Sequence, residues 1–416
     1  MANLSLNDIN HNVKYNTLNG VFAILASNLV MPFVSVLAMN LGASNSQIGL
    51  LSSLPPAVSL AAMLPGAFFV EKFARKKKVT GVFIFLQRIF FLVLALTPFL
   101  PKYQVWFLVG MYGLMNLPGS IAGVAWQSFI AGAIPSEHRA QAFATRNRIT
   151  SLVGIAITFT AGQIFRLTPD SMDIVLYQIF FVTAFGLALL EVWYHLNMRE
   201  VPAITQRSQP GLRAMLGALG RERAFLVFCG CSLLFHFGWQ MAWPLFSIHQ
   251  VRNLGADETW ISWISVVNGG MSFLTFSLWA KFIQKKGNHF VLFVAAFGIS
   301  LSPFLYAAST QIIHVVFING IIGIAIAGIS LSLFNSLLDS VPEEGRTVYI
   351  ASYTFLINLS ATVVPMIGIG LLERFGMIPA MVVAGTFRML GSAAFALRYL
   401  ALARTDAKKK QGQPAA

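Results

Sequence analysis

Long apolar runs recur along the chain, and each is bounded by charged residues, glycine or proline. A bilayer core about 30 Å thick is crossed by about 20 apolar residues of helix, so runs of this length predict membrane-spanning helices. We number the predicted spans 1 to 12 in chain order. They cover residues 17–41, 47–70, 79–100, 104–134, 149–165, 174–197, 224–251, 259–282, 290–308, 312–338, 348–372 and 377–402. The pattern therefore predicts an all-α membrane protein of about twelve transmembrane helices.

The composition agrees with a chain whose solvent is the lipid bilayer. Of its 416 residues 56% are hydrophobic and 11% are charged, whereas a soluble domain carries about 25% charged residues. A net charge of +14 could suggest a nucleic-acid partner. The basic residues, however, form short clusters between apolar runs rather than one patch, so nucleic acid is not predicted as a partner.

The distribution of lysine and arginine predicts the orientation of the spans. Basic loops stay in the cytoplasm. Of the 29 basic residues, 23 fall in loops on one side of the membrane, four fall on the opposite side, and two lie inside predicted spans. The four are Lys102, Arg166, Arg252 and Arg374, and the two are Arg88 and Arg388. We expect a multi-pass protein of the cell (plasma or inner) membrane with both termini cytoplasmic.

Two halves of the chain share short motifs in the same order, which indicates an internal duplication. Asn40-Leu41-Gly42-Ala43 recurs as Asn253-Leu254-Gly255-Ala256, and Pro135-Ser136-Glu137-His138-Arg139 parallels Pro342-Glu343-Glu344-Gly345-Arg346. A polar, basic stretch divides the halves. The predicted organisation is an N-terminal six-helix bundle at 1–197, a cytoplasmic linker at 198–223, a C-terminal six-helix bundle at 224–402 and a cytoplasmic tail at 403–416. Repeated halves with interrupted helices are typical of secondary transporters.

The loop after span 2 carries a motif of a known family. Its sequence is Gly66-Ala67-Phe68-Phe69-Val70-Glu71-Lys72-Phe73-Ala74-Arg75-Lys76-Lys77. It resembles the Gly-x-x-x-Asp-Arg-x-Gly-Arg-Arg/Lys signature of the major facilitator superfamily, with Glu71 in place of the aspartate, Ala74 in place of the second glycine and Gly66 displaced by one position. The resemblance implies two pseudo-symmetric six-helix bundles and a gating role for this loop. The gating residues it implies are Glu71, Lys72, Arg75, Lys76, Arg139 and Arg346. For the lysines, a role as plain topology signals is the alternative.

Polar and aromatic side chains inside the spans are candidates for substrate binding, because polar groups are costly in a bilayer. In the superfamily that the chain resembles, spans 1, 4, 7 and 10 line the central cavity. On span 7, the side chains at 236, 239, 240 and 243 share one helical face. The predicted substrate-binding residues are Asn28, Asn116, Trp126, Gln127, His236, Trp239, Gln240, Trp243, Asn268 and Arg88. The alternative for each Asn or Gln is a helix–helix hydrogen bond worth around 1 kcal/mol.

Ionisable groups inside the predicted spans are few. Arg388 is flanked at helical spacing by small residues, so a neighbouring helix can approach and supply carbonyls. The acceptor of Arg88 must be another helix, cavity water or an anionic substrate. Glu191 in span 6 and Asp339 at the end of span 10 are the carboxylates of the predicted spans, and both are close to the cytoplasmic end. Glu191, His236 or a group that the sequence does not identify would carry any coupled proton, and uniport stays open.

The function predicted from the sequence is secondary transport of a small organic solute by alternating access, with export favoured over import. A metabolite or sugar-type importer or uniporter is the alternative. An enzyme is not predicted, since the sequence has no His-Glu-x-x-His, Gly-x-Ser-x-Gly or phosphate-loop motif. A channel or a receptor is disfavoured by the repeat and the gate-like loop. We expect a monomer without a metal site or a cofactor, with proton coupling as an open option.

Overall fold

The computed structural model describes residues 5–200, 217, 222–343 and 346–410, and its regular elements there are helices. Spans 1 to 6 contain Leu6–Asn28 with Val34–Asn40, Asn45–Glu71, Lys76–Ala95, Gln104–Leu114 with Asn116–Ala133, Ser136–Leu167, and Asp173–Leu196. Spans 7 to 12 contain Arg223–Ile248, Glu258–Lys286, Asn288–Ser300 with Ser302–Ala308, Ile312–Leu338, Arg346–Phe375, and Met377–Lys410. In this described part, eleven spans are long and apolar enough to cross a membrane, and span 2 is the twelfth if its bent halves are counted together. The predicted fold class is confirmed.

Several helices begin earlier than the apolar pattern predicts. Span 1 begins at Leu6 instead of 17, and span 5 begins at Ser136 instead of 149. At the start of span 1, Ser5 and Asp8 form a capping box: the Ser5 hydroxyl accepts from the Asp8 amide, and the Asp8 carboxylate accepts from the Ser5 amide. Such a cap stabilises polar helical turns that lie before the apolar run. Span 5 begins after Pro135 without a side-chain cap, and its first turns are polar. Apolar windows therefore underestimate both helices.

Prolines account for the interruptions within spans 1 and 2. Span 1 changes to a 3-10 turn at Met31–Phe33, which contains Pro32. Span 2 bends by 43° between Asn45–Met63 and Pro65–Glu71. Proline lacks an amide hydrogen and its ring clashes with the preceding turn, which kinks a helix.

The chain forms two compact units. The first comprises Met1–Gln209 with Ala256–Val266, and the second comprises Pro210–Gly255 with Val267–Ala416. Within the first unit, span 1 packs against spans 5 and 6, and span 3 packs against spans 4 and 6. Within the second, span 7 packs against spans 11 and 12, and span 9 packs against spans 10 and 12. Most of the predicted linker, 201–216 and 218–221, lies outside the described residues.

Candidate functional site

A buried ion pair joins spans 3 and 6 of the first unit. The Arg88 Nε donates to Glu191 Oε2 at 2.8 Å, and its Nη2 donates to Glu191 Oε1 at 3.2 Å. Its Nη1 donates to the Ser27 hydroxyl of span 1 at 3.1 Å. On Glu191 itself, the backbone carbonyl accepts from the Asn19 amide at 2.9 Å. The acceptor of Arg88 is thus another helix, the first of the three alternatives that the sequence left open. Two parallel bonds of this kind are strong and directional.

A second arginine of the first unit lies inside a helix although the sequence placed it in a loop. Because span 5 begins at Ser136, Arg146 lies in its third turn and is half-buried. Its Nε donates to the Asn16 carbonyl of span 1 at 3.3 Å, and its Cζ lies 5.2 Å from the ring centroid of Trp126. The predicted site residue Trp126 is therefore part of a cation–π pair. The sequence offered no sign of this beyond an arginine near an apolar run.

The other predicted residues of spans 1 and 4 differ in their hydrogen bonding. The Asn116 amide donates to the Tyr112 carbonyl at 2.9 Å and the Gly113 carbonyl at 3.2 Å, so it serves the break in its own span. Asn28 is half-buried, and its backbone carbonyl accepts from Thr158 at 3.4 Å. Gln127 is exposed. Among the described residues, the side-chain amides of Asn28 and Gln127 take part in no hydrogen bond. The side-chain amides of these two residues are therefore available to bind a solute.

The four predicted site residues of span 7 share one helical face but differ in their contacts. Gln240 is buried against span 11, where its Nε2 donates to the Ile357 carbonyl at 3.2 Å and its Oε1 accepts from Ser360 at 2.7 Å. His236 and Trp239 stack with their ring centroids 5.6 Å apart. Trp243 is 39% exposed. The structure therefore brings His236 and Trp239 together and uses Gln240 for helix–helix packing.

Polar groups of spans 8, 9 and 10 form a network in the second unit. The Asn268 amide donates to Asn319 Oδ1 at 3.3 Å, and the Asn319 amide donates to the Tyr306 hydroxyl at 2.6 Å. The Gln250 amide of span 7 donates to the same hydroxyl at 2.8 Å. The predicted site residue Asn268 thus makes an interhelical hydrogen bond, the alternative stated for it above.

Arg388 of span 12 is held by carbonyls and a hydroxyl. Its Nη1 donates to the Ile299 carbonyl at 3.0 Å and to the Ser302 hydroxyl at 2.7 Å, and its Nη2 donates to the Trp239 carbonyl at 3.3 Å. The residue is 1% exposed. A Cβ added to Gly238 would lie 2.4 Å from the Arg388 backbone nitrogen. The close approach of a neighbouring helix that supplies carbonyls is as predicted.

The predicted gating residues lie at helix ends. Glu71 ends span 2, Lys72 and Arg75 are exposed in the loop that follows, and buried Lys76 donates to the Val70 carbonyl. The start of span 3 also contacts the segment after span 6, where the Lys77 backbone amide donates to the Glu200 carboxylate at 2.8 Å. These contacts hold the loop in place within the first unit.

The other two predicted gating residues, Arg139 after span 4 and Arg346 after span 10, make local contacts. Arg139 donates to the Ala131 carbonyl at 2.9 Å and to the Ile134 carbonyl at 3.1 Å, so it caps the end of span 4. A cation at a helix C-terminus is favourable. Arg346 lies 4.0 Å from Glu343 in an ion pair.

Glu258 is a buried carboxylate that the sequence reasoning missed. It is the first residue of its helix, one position before the predicted start of span 8, and it belongs to the first unit. The Tyr177 hydroxyl donates to its Oε1 at 2.7 Å, and the Asn40 amide lies 3.5 Å from the same oxygen. The sequence signal that could have located it is an acidic residue in the first turn of a helix, where a negative charge is favourable. In the part of the chain that the structure describes, no group of three or more His, Cys, Asp or Glu could hold a metal ion.

Comparisons with known proteins agree with this architecture. The family model of the major facilitator superfamily matches residues 17–235 and 228–416. The chain resembles the crystal structure of the nucleoside transporter NupG with a TM-score of 0.69 and 12% identity, covering 93% of this chain and 98% of that one. No curated protein sequence matches the chain.

Two further solved structures have the same fold. A D-xylose–proton symporter matches with a TM-score of 0.69 and 15% identity over 93% of this chain and 97% of that one. A bacterial homologue of the human lysosomal transporter Spinster matches with a TM-score of 0.67 and 14% identity over 95% and 99%. The family model covers nearly the whole chain, and the chain therefore belongs to the major facilitator superfamily, a family of secondary transporters of small solutes and not of enzymes.

Proposed function

We propose that this protein moves a small organic solute by alternating access, with export favoured over import. The observation that carries the proposal is that some polar groups within the spans are not used for packing, although each is costly in a bilayer. Asn28 and Gln127 in the first unit, and Trp243 in the second, are half-buried or exposed. In contrast, Asn116, Gln240 and Asn268 have intramolecular partners, and the Nδ1 of His236 lies 2.8 Å from the Ser232 carbonyl. Asn28, Gln127 and Trp243 are therefore the better substrate contacts.

The same proposal includes the membrane and the organisation of the chain. The bias of lysine and arginine supports a cell membrane with both termini cytoplasmic. The internal repeat supports two six-helix bundles, at 1–197 and 224–402, joined by a cytoplasmic linker. We propose that the unit of transport is the monomer.

Import of a polar metabolite is the second candidate. It is favoured by the names of two similar structures, a nucleoside transporter and a D-xylose–proton symporter. A proton symporter among them also supports coupling to protons, and Glu191, His236 and the newly located Glu258 are the groups to test for it. Accumulation of solute driven by an imposed pH gradient separates symport from uniport.

The test begins with a thermal-shift screen of the purified protein against metabolites and drugs, because a ligand that binds the folded state raises its stability. A solute found in this way is then assayed for counterflow in proteoliposomes. Saturable counterflow supports transport by a carrier, whereas flux that rises linearly with concentration would indicate a channel. Direction is read from whether solute leaves or enters vesicles of known orientation.

A matched pair of span 7 variants locates the site. We expect Trp243→Ala to weaken solute binding and to leave the unfolding temperature close to wild type. Gln240→Ala leaves the Ser360 hydroxyl and the Ile357 carbonyl without their partner, which costs about 1–3 kcal/mol of stability. It should lower the unfolding temperature and leave binding intact. Normal binding by Trp243→Ala, together with a lower unfolding temperature, would make Trp243 a packing residue.

A further inference from the structure

Two arginines of the first unit, Arg88 and Arg146, differ in how their guanidinium groups are paired. Both oxygens of Glu191 are taken by Arg88, at 2.8 Å and 3.2 Å. The hydrogen bond of Arg146, however, goes to the Asn16 carbonyl. Among the described residues, the positive charge of Arg146 is therefore left without a carboxylate of its own.

Residues of three spans hold Arg146 in position. Gly20 of span 1 leaves space for the guanidinium, since a Cβ there would lie 2.6 Å from its Nε. Trp126 of span 4 provides the ring that faces it at 5.2 Å, and span 5 supplies the arginine. Its terminal nitrogens, Nη1 and Nη2, make no hydrogen bond to any described residue. Those two nitrogens are the pair with which an arginine binds a carboxylate in a planar, bidentate manner.

Asn16, whose backbone carbonyl accepts from Arg146, has a side chain that also lacks partners. Asn16 is 0% exposed, and neither its Nδ2 nor its Oδ1 has a hydrogen-bond partner among the described residues. Buried polar groups in native proteins are nearly always hydrogen-bonded, so such a side chain requires an explanation. The backbone carbonyl of Asn16 accepts from Arg146, so the residue with the unpaired side-chain amide is one that the arginine contacts.

We propose that Arg146, with the Asn16 amide, binds the anionic group of the transported solute, and that this solute is an organic carboxylate. The inference rests on the proposed function and deepens it by naming the substrate class. A carboxylate would accept from both terminal nitrogens of Arg146 and neutralise the charge that Glu191 does not. It would also accept from the Nδ2 of Asn16.

The test measures thermal shifts of the purified full chain with matched probes, benzoate and acetate against benzamide and acetamide. We expect the carboxylates to raise the unfolding temperature and the uncharged amides to leave it unchanged. Arg146→Gln should abolish the shift with benzoate. Arg146→Lys should keep the charge but raise the half-saturating benzoate concentration about tenfold or more, because the bidentate geometry is lost. Arg148→Gln removes the same charge from an exposed position two residues away and should bind as wild type does.

The controls separate binding from folding. Gly20→Ala displaces the guanidinium and keeps the arginine, so it should weaken benzoate binding even if Arg146→Gln does not fold. Equal shifts with benzoate and benzamide, no shift with either carboxylate, or an unchanged shift in Arg146→Gln would overturn the inference. Counterflow of an uncharged solute by a protein that does not bind carboxylates would leave the proposed function intact and remove this inference alone.

Discussion

At the scale of single residues, the intramembrane arginines are stabilised in two different ways. Arg88 pairs with the Glu191 carboxylate, whereas the terminal nitrogens of Arg388 donate to two carbonyls and the Ser302 hydroxyl. Removing one member of a buried ion pair leaves the other as an uncompensated charge, which is more costly than removing both. The two arginines should therefore respond differently to substitution of their partners.

We predict that Arg88→Met and Glu191→Met each lower the free energy of unfolding by about 3–5 kcal/mol. The double variant should lose less than either single variant, because no unpaired charge remains in the membrane. Thermal or denaturant unfolding in detergent measures all three, and Arg75→Met, at an exposed position, is the control. Additive losses in the double variant would show that the two side chains do not stabilise each other.

At the scale of the helices, spans 7 and 12 pack closely because glycine occurs where they meet. A Cβ added to Gly391 would lie 2.4 Å from the Phe235 backbone, and one added to Gly238 would lie 2.4 Å from the Ala384 carbonyl oxygen. Backbone atoms at that distance can move apart only if the helices do. Small residues at helix crossings are the usual basis of tight packing in membranes.

For these helices we predict that Gly391→Ala destabilises the protein by about 1–3 kcal/mol, as overpacking generally does. Gly370→Ala on span 11 is the matched control, because a Cβ there meets nothing within 4 Å. Alanine in place of glycine in an open helix should be neutral or favourable, by up to about 1 kcal/mol. The unfolding temperatures of the two variants are compared. Similar temperatures for both would mean that the glycine at 391 is not needed for the close approach.

At the scale of the whole molecule, transport requires the protein to change between conformations, and loop contacts can bias their populations. The loop after span 2 is held by contacts of Lys76 and Lys77 and carries the signature-like Glu71 and Arg75. We predict that Glu71→Ala and Arg75→Ala slow transport strongly and leave solute binding largely unchanged. Rates of counterflow and binding by thermal shift are measured on the same preparations, with Lys285→Ala as a control. Wild-type transport rates in both variants would exclude a gating role for this loop.

The sequence alone was sufficient for the fold class and the number of spans. The reason is that the bilayer imposes a local requirement: about 20 apolar residues per span, with the backbone hydrogen bonds satisfied inside each helix. The same reasoning underestimated spans 1 and 5, because capping and polar helical turns extend a helix beyond its apolar run. For that reason Arg146 was assigned to a loop, and Glu258, one position before the predicted start of span 8, was overlooked.

Tertiary structure decided which polar groups are paired. Arg88 and Glu191 are 103 residues apart, and Gln240 and Ser360 are 120 apart. Composition and helical spacing hold no information on such partners, because a hydrogen bond depends on how the helices pack and rotate against one another. The sequence could therefore state that Arg88 needs an acceptor and that Gln240 lies on a polar face. The packing of spans 3 and 6, and of spans 7 and 11, decided that Glu191 satisfies the arginine and that span 11 satisfies the glutamine.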